Sequence, residues 1–167
     1  MDSSRKVTQG FGPIYDRESR ILILGTTPSV ASVKQGFYYG HSRNVFWRAM
    51  AEIFDECIGQ SKEEKIAFLH RRHIALWDVL ASCDIKGSSD SSIKDPVAND
   101  LRPLLSETKI NIVFTTGKKA TKLYEKLCFP LTGIEAISLP STSPANVANF
   151  CYEDIVRHYR IIKEVLD

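Results

Sequence analysis

A short aliphatic run that ends at a glycine constrains the fold of this chain more than any other segment. Residues 21–24 are Ile-Leu-Ile-Leu and lead directly into Gly25. Such a run is typical of a strand buried on both faces of a parallel sheet, and the segment after it is too polar for the core. A second aliphatic run, over 136–139, also leads into a loop rich in proline and serine. Because ligands bind at the carboxyl ends of parallel strands, we expect both loops at the functional edge of one sheet.

Strand and helix patterns alternate along the rest of the chain and predict its fold class. Two further strands are predicted over 74–80 and 110–115. Ser61 and Glu64 form a capping box at the start of one predicted helix, and Pro103 lies inside another. The helices are predicted over residues 44–54, 61–70, 96–105, 118–127 and 152–166. The alternation predicts an α/β fold, a three-layer α/β/α domain with a four-stranded, mainly parallel central sheet.

Length and composition favour one soluble domain. The chain has 167 residues with 43% hydrophobic content, enough for a single core. We expect residues 1–167 to form one domain, with residues 1–10 as a loosely ordered N-terminal segment. The net charge of +2 and the pI of about 8.3 allow a nucleic-acid partner without predicting one, since strongly basic domains lie above about pI 9.

Neither a membrane partner nor a metal is expected. No segment approaches the ~18 apolar residues that a membrane helix needs, so we expect a cytoplasmic protein, and a monomer. The four histidines show no zinc spacing, and the cysteines form no Cys-x-x-Cys pair, which favours reduced thiols and no metal or organic cofactor. The cysteines are Cys57, Cys83, Cys128 and Cys151.

Asn44, fifteen positions after Ser29, is the most informative single polar residue. A carboxamide cannot act as a general base, but it can orient a water and donate a hydrogen bond to a leaving group. Asn is also a favoured helix N-cap, and spacing alone favours the cap. Aromatic residues surround it in the sequence and suit stacking on a planar ring. Phe46 and Trp47 cannot share a helical face, so we predict that Phe46 lines a pocket and Trp47 lies in the core.

Two motifs together identify a family resemblance. The first reads Gly-x-x-Pro-Ser from Gly25, followed by Asn44 before Phe-Trp, and the second reads Ser-x-Ser-Pro-Ala-Asn from Ser141. In this order and spacing they resemble the uracil-DNA glycosylase superfamily, and within it the hypoxanthine (deoxyinosine) DNA glycosylases. The resemblance extends from about Phe11 to the last helix. Several branches of the superfamily carry Asp or Asn where this chain has Thr26 and Thr27, which places the catalytic role on Asn44.

The resemblance implies a monofunctional DNA glycosylase that acts on damaged DNA. It implies base flipping and hydrolysis of the N-glycosidic bond by water, with hypoxanthine as first substrate and uracil as a possible second. No lysine stands out as a Schiff-base nucleophile, so strand cleavage would be left to another enzyme. Other branches often carry a histidine at the start of the second motif, and this chain has none there. The implied catalytic residue is Asn44, and the implied base pocket comprises Gly25, Thr26, Thr27, Pro28, Ser29, Tyr39, Phe46 and Asp78.

Asp78 follows a predicted strand at the place where the superfamily's base-recognising side chain usually lies. An ionised carboxylate there can accept a hydrogen bond from N1–H of hypoxanthine, a donor that adenine lacks. A role as a turn or cap residue is equally compatible with the sequence.

The DNA-binding residues are expected on three loops. The residues of the second motif correspond to the loop that enters the DNA duplex in the resembled family. The alternative is that they form an ordinary surface loop rich in serine and proline. A helix that begins after Gly117 can bind a phosphate at its N-terminus, and solvated lysines are the alternative. The expected DNA-binding residues are His41, Arg43, Thr116, Gly117, Lys118, Ser141, Thr142, Ser143, Pro144, Ala145 and Asn146.

Two functions of other classes fit the same residues. One is a noncatalytic module that binds nucleic acid or nucleotides, in which Asn44 is only a cap. The other is a small α/β hydrolase or transferase that binds phosphate at Gly25 and Gly117. The product separates them: an abasic site, binding without product, or turnover of a free nucleotide.

Overall fold

The computed structural model describes residues 4–8, 12–27, 37–86 and 93–167, and for residues 4–8 and 83–86 the backbone only. Strands and helices alternate over most of this length. In chain order they are β1 (Ser4–Thr8), β2 (Ile21–Gly25), α1 (Phe46–Phe54), α2 (Lys62–Arg71), β3 (Ile74–Asp78), β4 (Leu80–Lys86), β5 (Lys94–Ala98), α3 (Arg102–Glu107), β6 (Ile112–Thr116), α4 (Lys118–Leu127), α5 (Phe129–Thr132), β7 (Ala136–Leu139), α6 (Pro144–Val147) and α7 (Tyr152–Leu166).

Four parallel strands form the central sheet in the order β3-β2-β6-β7. β2 is hydrogen-bonded on both sides, and its last residue, Gly25, pairs with Asp78 at the end of β3. On the other side Leu24 pairs with Thr115 of β6, and Thr116 pairs with Leu139 of β7. The carboxyl ends of all four strands therefore meet at one edge of the sheet.

Alternate residues of β2 enter two separate hydrophobic cores. Ile21 and Ile23 pack with buried residues of α1, α2 and α7 on one face. Leu22 and Leu24 pack with buried residues of α3 and α4 on the other face. This period of two is the consequence of a strand covered on both sides. The predicted three-layer α/β/α fold with a four-stranded parallel central sheet is confirmed.

The structure differs from the sequence-based prediction over residues 74–105. The strand predicted over 74–80 is divided at Val79, because β4 leaves the central sheet and joins a three-stranded antiparallel sheet in the order β1-β4-β5. The helix predicted over 96–105 is wrong in its first half, which is strand β5. Among the described strands β5 pairs only with β4, and an edge strand tolerates Pro96. Pro103 lies in the first turn of α3, where its missing N–H is harmless.

Several element boundaries follow the predicted signals. The capping box at α2 is confirmed: the Ser61 hydroxyl accepts from Glu64 N–H at 3.1 Å, and the Glu64 carboxylate accepts from Ser61 N–H at 3.3 Å. α1 begins at Phe46 rather than at Asn44. Within the segment expected to be loosely ordered, residues 4–8 form β1. Among the described helices, none is long and apolar enough to cross a membrane.

Candidate active site

Three oxygen atoms converge on Gly25 at the carboxyl edge of the sheet. A Cβ atom on Gly25 would lie 2.8 Å from Asp78 Oδ1, 3.7 Å from the Tyr39 hydroxyl oxygen and 3.8 Å from Thr116 Oγ1. The first distance is shorter than normal contact, so the absence of a side chain at Gly25 is what admits the Asp78 carboxyl group. Three segments of the chain thus meet at one polar point, which we call the Gly25 cluster.

The Gly25 cluster is buried. The Asp78 side chain is 4% exposed, and its backbone carbonyl accepts from Asn99 Nδ2 at 2.8 Å. Thr116 is also buried, and its hydroxyl donates to the carbonyl of Leu24 at 3.3 Å. Burial and the nearby charge of Asp78 raise the pKa of Tyr39, so its hydroxyl keeps its proton. That buried hydroxyl makes no hydrogen bond within the described part of the chain, which leaves a proton donor beside the carboxyl group.

Tyr39 and Phe46 form the aromatic wall next to this cluster. Their rings are stacked with centroids 3.9 Å apart and an interplanar angle of 15°. Tyr39 has a φ of 55°, in the left-handed region that residues with side chains rarely adopt. Such a backbone conformation persists only where the surroundings enforce it, which is common at functional sites.

The two neighbouring rings of α1 are arranged opposite to the prediction. Phe46 is fully buried in the core, whereas Trp47 is half-buried and lines a cleft. The inward face of α1 carries Phe46, Met50 and Ile53, which recur at helical spacing. Trp47 follows one position later and points away from that face, and its Nε1 donates to the carbonyl of Tyr38 at 3.1 Å. Phe46 therefore contributes to the pocket only through its stacking on Tyr39.

The oxygen of the Asn44 carboxamide is hydrogen-bonded, whereas its NH₂ group is available to a ligand. Its Oδ1 accepts from the N–H of Phe46 at 2.9 Å, at the start of α1. No hydrogen bond involves its Nδ2 in the part of the chain that the structure describes, and Asn44 lines the same cleft as Trp47. The Asn44 backbone N–H donates to the carbonyl of His41 at 2.9 Å. Asn44 thus lies one position before Val45, the N-cap of α1, and its oxygen satisfies the first N–H of the helix while its NH₂ group stays oriented.

His41 lies in the same cleft with one ring nitrogen already engaged. The backbone N–H of Arg43 donates to His41 Nδ1 at 3.0 Å. This bond fixes the orientation of the ring and leaves Nε2 as its second polar atom. The Arg43 side chain is exposed and is free to meet a phosphate. The DNA-binding role of both residues stays a prediction.

Backbone hydrogen bonds join the second motif to the first. The N–H of Val45 donates to the carbonyl of Thr142 at 3.1 Å, directly beside Asn44. Within the second motif, Asn146 Nδ2 donates to the carbonyl of Ser141 at 2.7 Å, and the Ser143 hydroxyl caps α6 by accepting from Asn146 N–H at 3.4 Å. The loop is therefore held in one shape before any ligand binds. Ala145 is its exposed residue, and Pro144 is half-buried.

Two of the expected DNA-binding residues are buried, and a third has its backbone N–H engaged. Thr116 and Thr142 are 9% and 2% exposed, and Thr116 belongs to the Gly25 cluster. The N–H of Gly117 donates to the carbonyl of Leu139 at 2.7 Å and is not available to a phosphate. A Cβ at Gly117 would lie 3.3 Å from Ser141 Cβ, so the loops after β6 and β7 are packed together. Lys118 is exposed in the first turn of α4, and its contact with DNA stays a prediction.

The loop after β2 is described only as far as Thr27. Pro28 and Ser29 lie outside the described residues. Thr26 is buried, and its carbonyl accepts from Leu80 N–H at 3.1 Å. The buried hydroxyl of Thr27 has no hydrogen-bond partner among the described residues, which makes it a second unpaired donor near the edge of the sheet.

Sequence reasoning missed several residues of this region. Asn99 holds the backbone of Asp78, and the buried Tyr159 donates to the carbonyl of Pro140 at 2.7 Å, beneath the second motif. Lys65 lines the cleft that contains Asn44. Only Tyr159 had a signal, its position on the apolar stripe of the last helix. Among the described residues, no group of three or more His, Cys, Asp or Glu side chains is placed to hold a metal ion.

Comparison with known proteins establishes the family. Residues 13–159 match the family model of the uracil DNA glycosylase superfamily. The hypoxanthine DNA glycosylase of Methanosarcina acetivorans is 36% identical over 142 residues, which cover 84% of this chain and 89% of that protein. The hypoxanthine DNA glycosylase of Methanosarcina barkeri is 35% identical over 140 residues, which cover 83% and 87%.

A solved structure shows the same fold. The solution NMR structure of a provisionally named uracil DNA glycosylase from Methanosarcina acetivorans aligns with a TM-score of 0.78 at 32% identity. The alignment covers 93% of this chain and 98% of that one. The chain belongs to the uracil DNA glycosylase superfamily. The resemblance drawn from the two motifs is therefore confirmed, and with it the predicted enzyme class, a DNA glycosylase.

Replacing Gly25 by alanine should destabilise the protein through Asp78. The new methyl group would meet Asp78 Oδ1 at 2.8 Å, and overpacking of this kind costs about 1–3 kcal/mol. In an Asp78→Ala background the remaining neighbours lie at 3.7 Å and beyond, so the same substitution should cost much less. Urea denaturation of the four proteins in this cycle measures the coupling. Equal costs in both backgrounds would show that Asp78 does not constrain Gly25.

Proposed function

We propose that this DNA glycosylase excises hypoxanthine by flipping deoxyinosine out of the duplex and hydrolysing its N-glycosidic bond with water. The observation that carries the proposal is the Gly25 cluster, where the Asp78 carboxyl group lies buried at the carboxyl edge of the sheet. The two relatives named hypoxanthine DNA glycosylase support the choice of base. The nucleotide must be flipped out because an enzyme pocket cannot reach the N-glycosidic bond of a nucleotide that is stacked in the duplex.

Asp78 is proposed to recognise the base. An ionised carboxylate accepts from N1–H of hypoxanthine, whereas N1 of adenine carries a lone pair and would be repelled. In a buried site an unmatched polar group costs about 1–3 kcal/mol or more, which favours the deaminated base. Tyr39 offers a ring for stacking, and its hydroxyl stays protonated, so it adds no second negative charge beside the carboxylate. Uracil presents an equivalent N3–H donor and is proposed as a second substrate.

Asn44 is proposed to position the water and the departing base. Glycosidic cleavage through an oxocarbenium-like transition state needs little nucleophilic push, so a neutral carboxamide suffices. The hydrogen bond from Phe46 N–H to Asn44 Oδ1 fixes the plane of the amide, and its NH₂ group is therefore oriented before the substrate arrives. A preorganised donor of this kind stabilises charge where it develops in the transition state.

The DNA face is proposed to lie around this pocket. Arg43 and Lys118 supply exposed cations, and the compact loop of the second motif presents Ala145. We propose that residues 1–167 act as one domain and as a monomer, and the match of one family model to residues 13–159 supports the single domain. A cytoplasmic location fits the free thiols of Cys57, Cys128 and Cys151.

The reaction should proceed on defined DNA without a divalent metal. Duplexes that differ only in hypoxanthine, uracil or adenine at one position are incubated with the protein in EDTA, and abasic sites are revealed by alkaline cleavage. We expect cleavage at hypoxanthine, less at uracil and none at adenine. Activity that is lost in EDTA and returns with a metal would contradict the proposed chemistry. Binding without an abasic product would instead identify a noncatalytic module.

Asn44 substitutions should separate capping from catalysis. Asn44→Ala removes both functions, whereas Asn44→Ser and Asn44→Asp keep an oxygen for the helix and lose the NH₂ group. We expect all three variants to lose base release by on the order of 10²-fold or more. Only the Ala variant should lose about 1 kcal/mol of stability. Single-turnover rates and melting temperatures are measured together, and wild-type release by Asn44→Ser would exclude Asn44 from catalysis.

A further inference from the structure

A cleft of about 730 Å³ extends from the candidate active site along the outer side of α1. Tyr39, Asn44 and Trp47 line one part of it, and the segment leading into α2, with Gln60 and Lys65, lines the rest. We call it the α1–α2 cleft. Asn44, the residue proposed to position the departing base, lies at one end of this cleft. A DNA strand that continues from the flipped nucleotide in this direction would therefore enter the cleft.

The described residues that line the α1–α2 cleft include two cations, Arg48 and Lys65, and no carboxylate. Lys65 is half-buried, with Nζ 5.3 Å from the centre of the Trp47 ring, and has no acidic partner in the described part of the chain. Burial lowers the pKa of Lys65, a cost that a bound anion would offset. The neighbouring Glu64 carboxylate is engaged by Ser61 in the capping box.

Arg48 is also oriented within the cleft. Its guanidinium lies 3.9 Å from the centre of the Tyr152 ring, a cation–π contact that fixes a long side chain. Glu153 lies within electrostatic range of Arg48, so the positive charge of Arg48 is partly balanced. A bound anion would therefore stabilise the charged form of Lys65 more than that of Arg48.

We propose that the α1–α2 cleft is the channel for the DNA strand that flanks the flipped nucleotide, with Lys65 contacting a backbone phosphate. The proposal rests on the proposed function. A nucleic-acid strand suits the cleft because it carries one negative charge every ~3.4 Å and must continue from the extruded nucleotide. The absence of acidic lining, the continuity with Asn44 and the unpaired cation over an indole together favour a polyanion.

Salt dependence of binding tests the phosphate contact. The plot of log K against log[salt] has a negative slope, and loss of one phosphate contact reduces its magnitude by about 0.9. Lys65→Gln should show this reduction when binding to a hypoxanthine duplex is measured by fluorescence anisotropy. Lys65→Arg should retain the slope. Lys126→Gln, an exposed lysine in the last turn of α4, serves as the matched control and should behave as wild type. A wild-type slope in a folded Lys65→Gln protein would overturn the contact.

The exposed thiol of Cys57, which lines the cleft, provides a direct test of the strand's path. A duplex with a deoxyinosine analogue that resists hydrolysis carries a thiol tether on single phosphates of the lesion strand. We expect disulfide cross-linking only for tethers within about three nucleotides of the lesion, consistent with the ~3.4 Å charge spacing. The cross-link should disappear in Cys57→Ser. Equal cross-linking from tethers remote from the lesion would overturn the channel.

The outcomes distinguish the channel from the proposed function. Hypoxanthine release by the wild-type protein is measured in parallel on the cleavable duplex. Release without cross-linking at Cys57 and without a slope change in Lys65→Gln overturns the channel and leaves the glycosylase assignment intact. Site-specific cross-linking with the slope change, but no release, supports the channel and contradicts the proposed function.

Discussion

The site depends on the close approach of the Asp78 carboxyl group to the Cα of Gly25. Parallel pairing places these two residues side by side at the ends of β3 and β2, and a Cβ on Gly25 would come within 2.8 Å of Asp78 Oδ1. Because β2 is paired on both sides and buried on both faces, its backbone has little freedom to shift and make room. A residue without a side chain is therefore the local condition for a buried acid at this edge.

Next to this acid, Tyr39 keeps its proton because burial and the charge of Asp78 raise its pKa. Asn44 presents an uncharged amide in the cleft that Tyr39 also lines. In the proposed reaction positive charge develops on the sugar and the nucleophile is water, so a neutral amide is enough to orient the water. The threonines that replace the Asp or Asn of other branches agree with this arrangement, since Thr26 is buried and the Thr27 hydroxyl is unpaired within the described residues.

Much of the fold and part of the site were predictable because they depend on local signals. Aliphatic runs identify β2 and β7, and the Ser61 and Glu64 pair identifies the start of α2. Asn44 was recognisable as a residue of the helix start, where its Oδ1 accepts from Phe46 N–H, and its role in catalysis stays a prediction.

Long-range contacts account for what the sequence did not predict. No local pattern shows that the chain changes sheets at Val79, or that Thr142 turns inward while its carbonyl binds Val45 N–H. The exposure of Phe46 and Trp47 depends on which face of α1 meets the sheet, and short spacing alone does not determine that face. Lys65 lies on α2, the element after α1, and lines the cleft of Asn44 only because the two helices bring Lys65 against Trp47.

The most direct test of the account is the rate of release of 1-methylhypoxanthine compared with hypoxanthine from otherwise identical duplexes. The methyl group removes the N1–H donor that Asp78 is proposed to accept and places a carbon against the carboxylate. The account predicts that wild-type protein releases hypoxanthine at least on the order of 10²-fold faster, as expected when a buried polar group loses its partner. It also predicts that this ratio falls sharply in Asp78→Ala. Equal single-turnover rates for the two bases in the wild-type protein would contradict recognition of the base by Asp78.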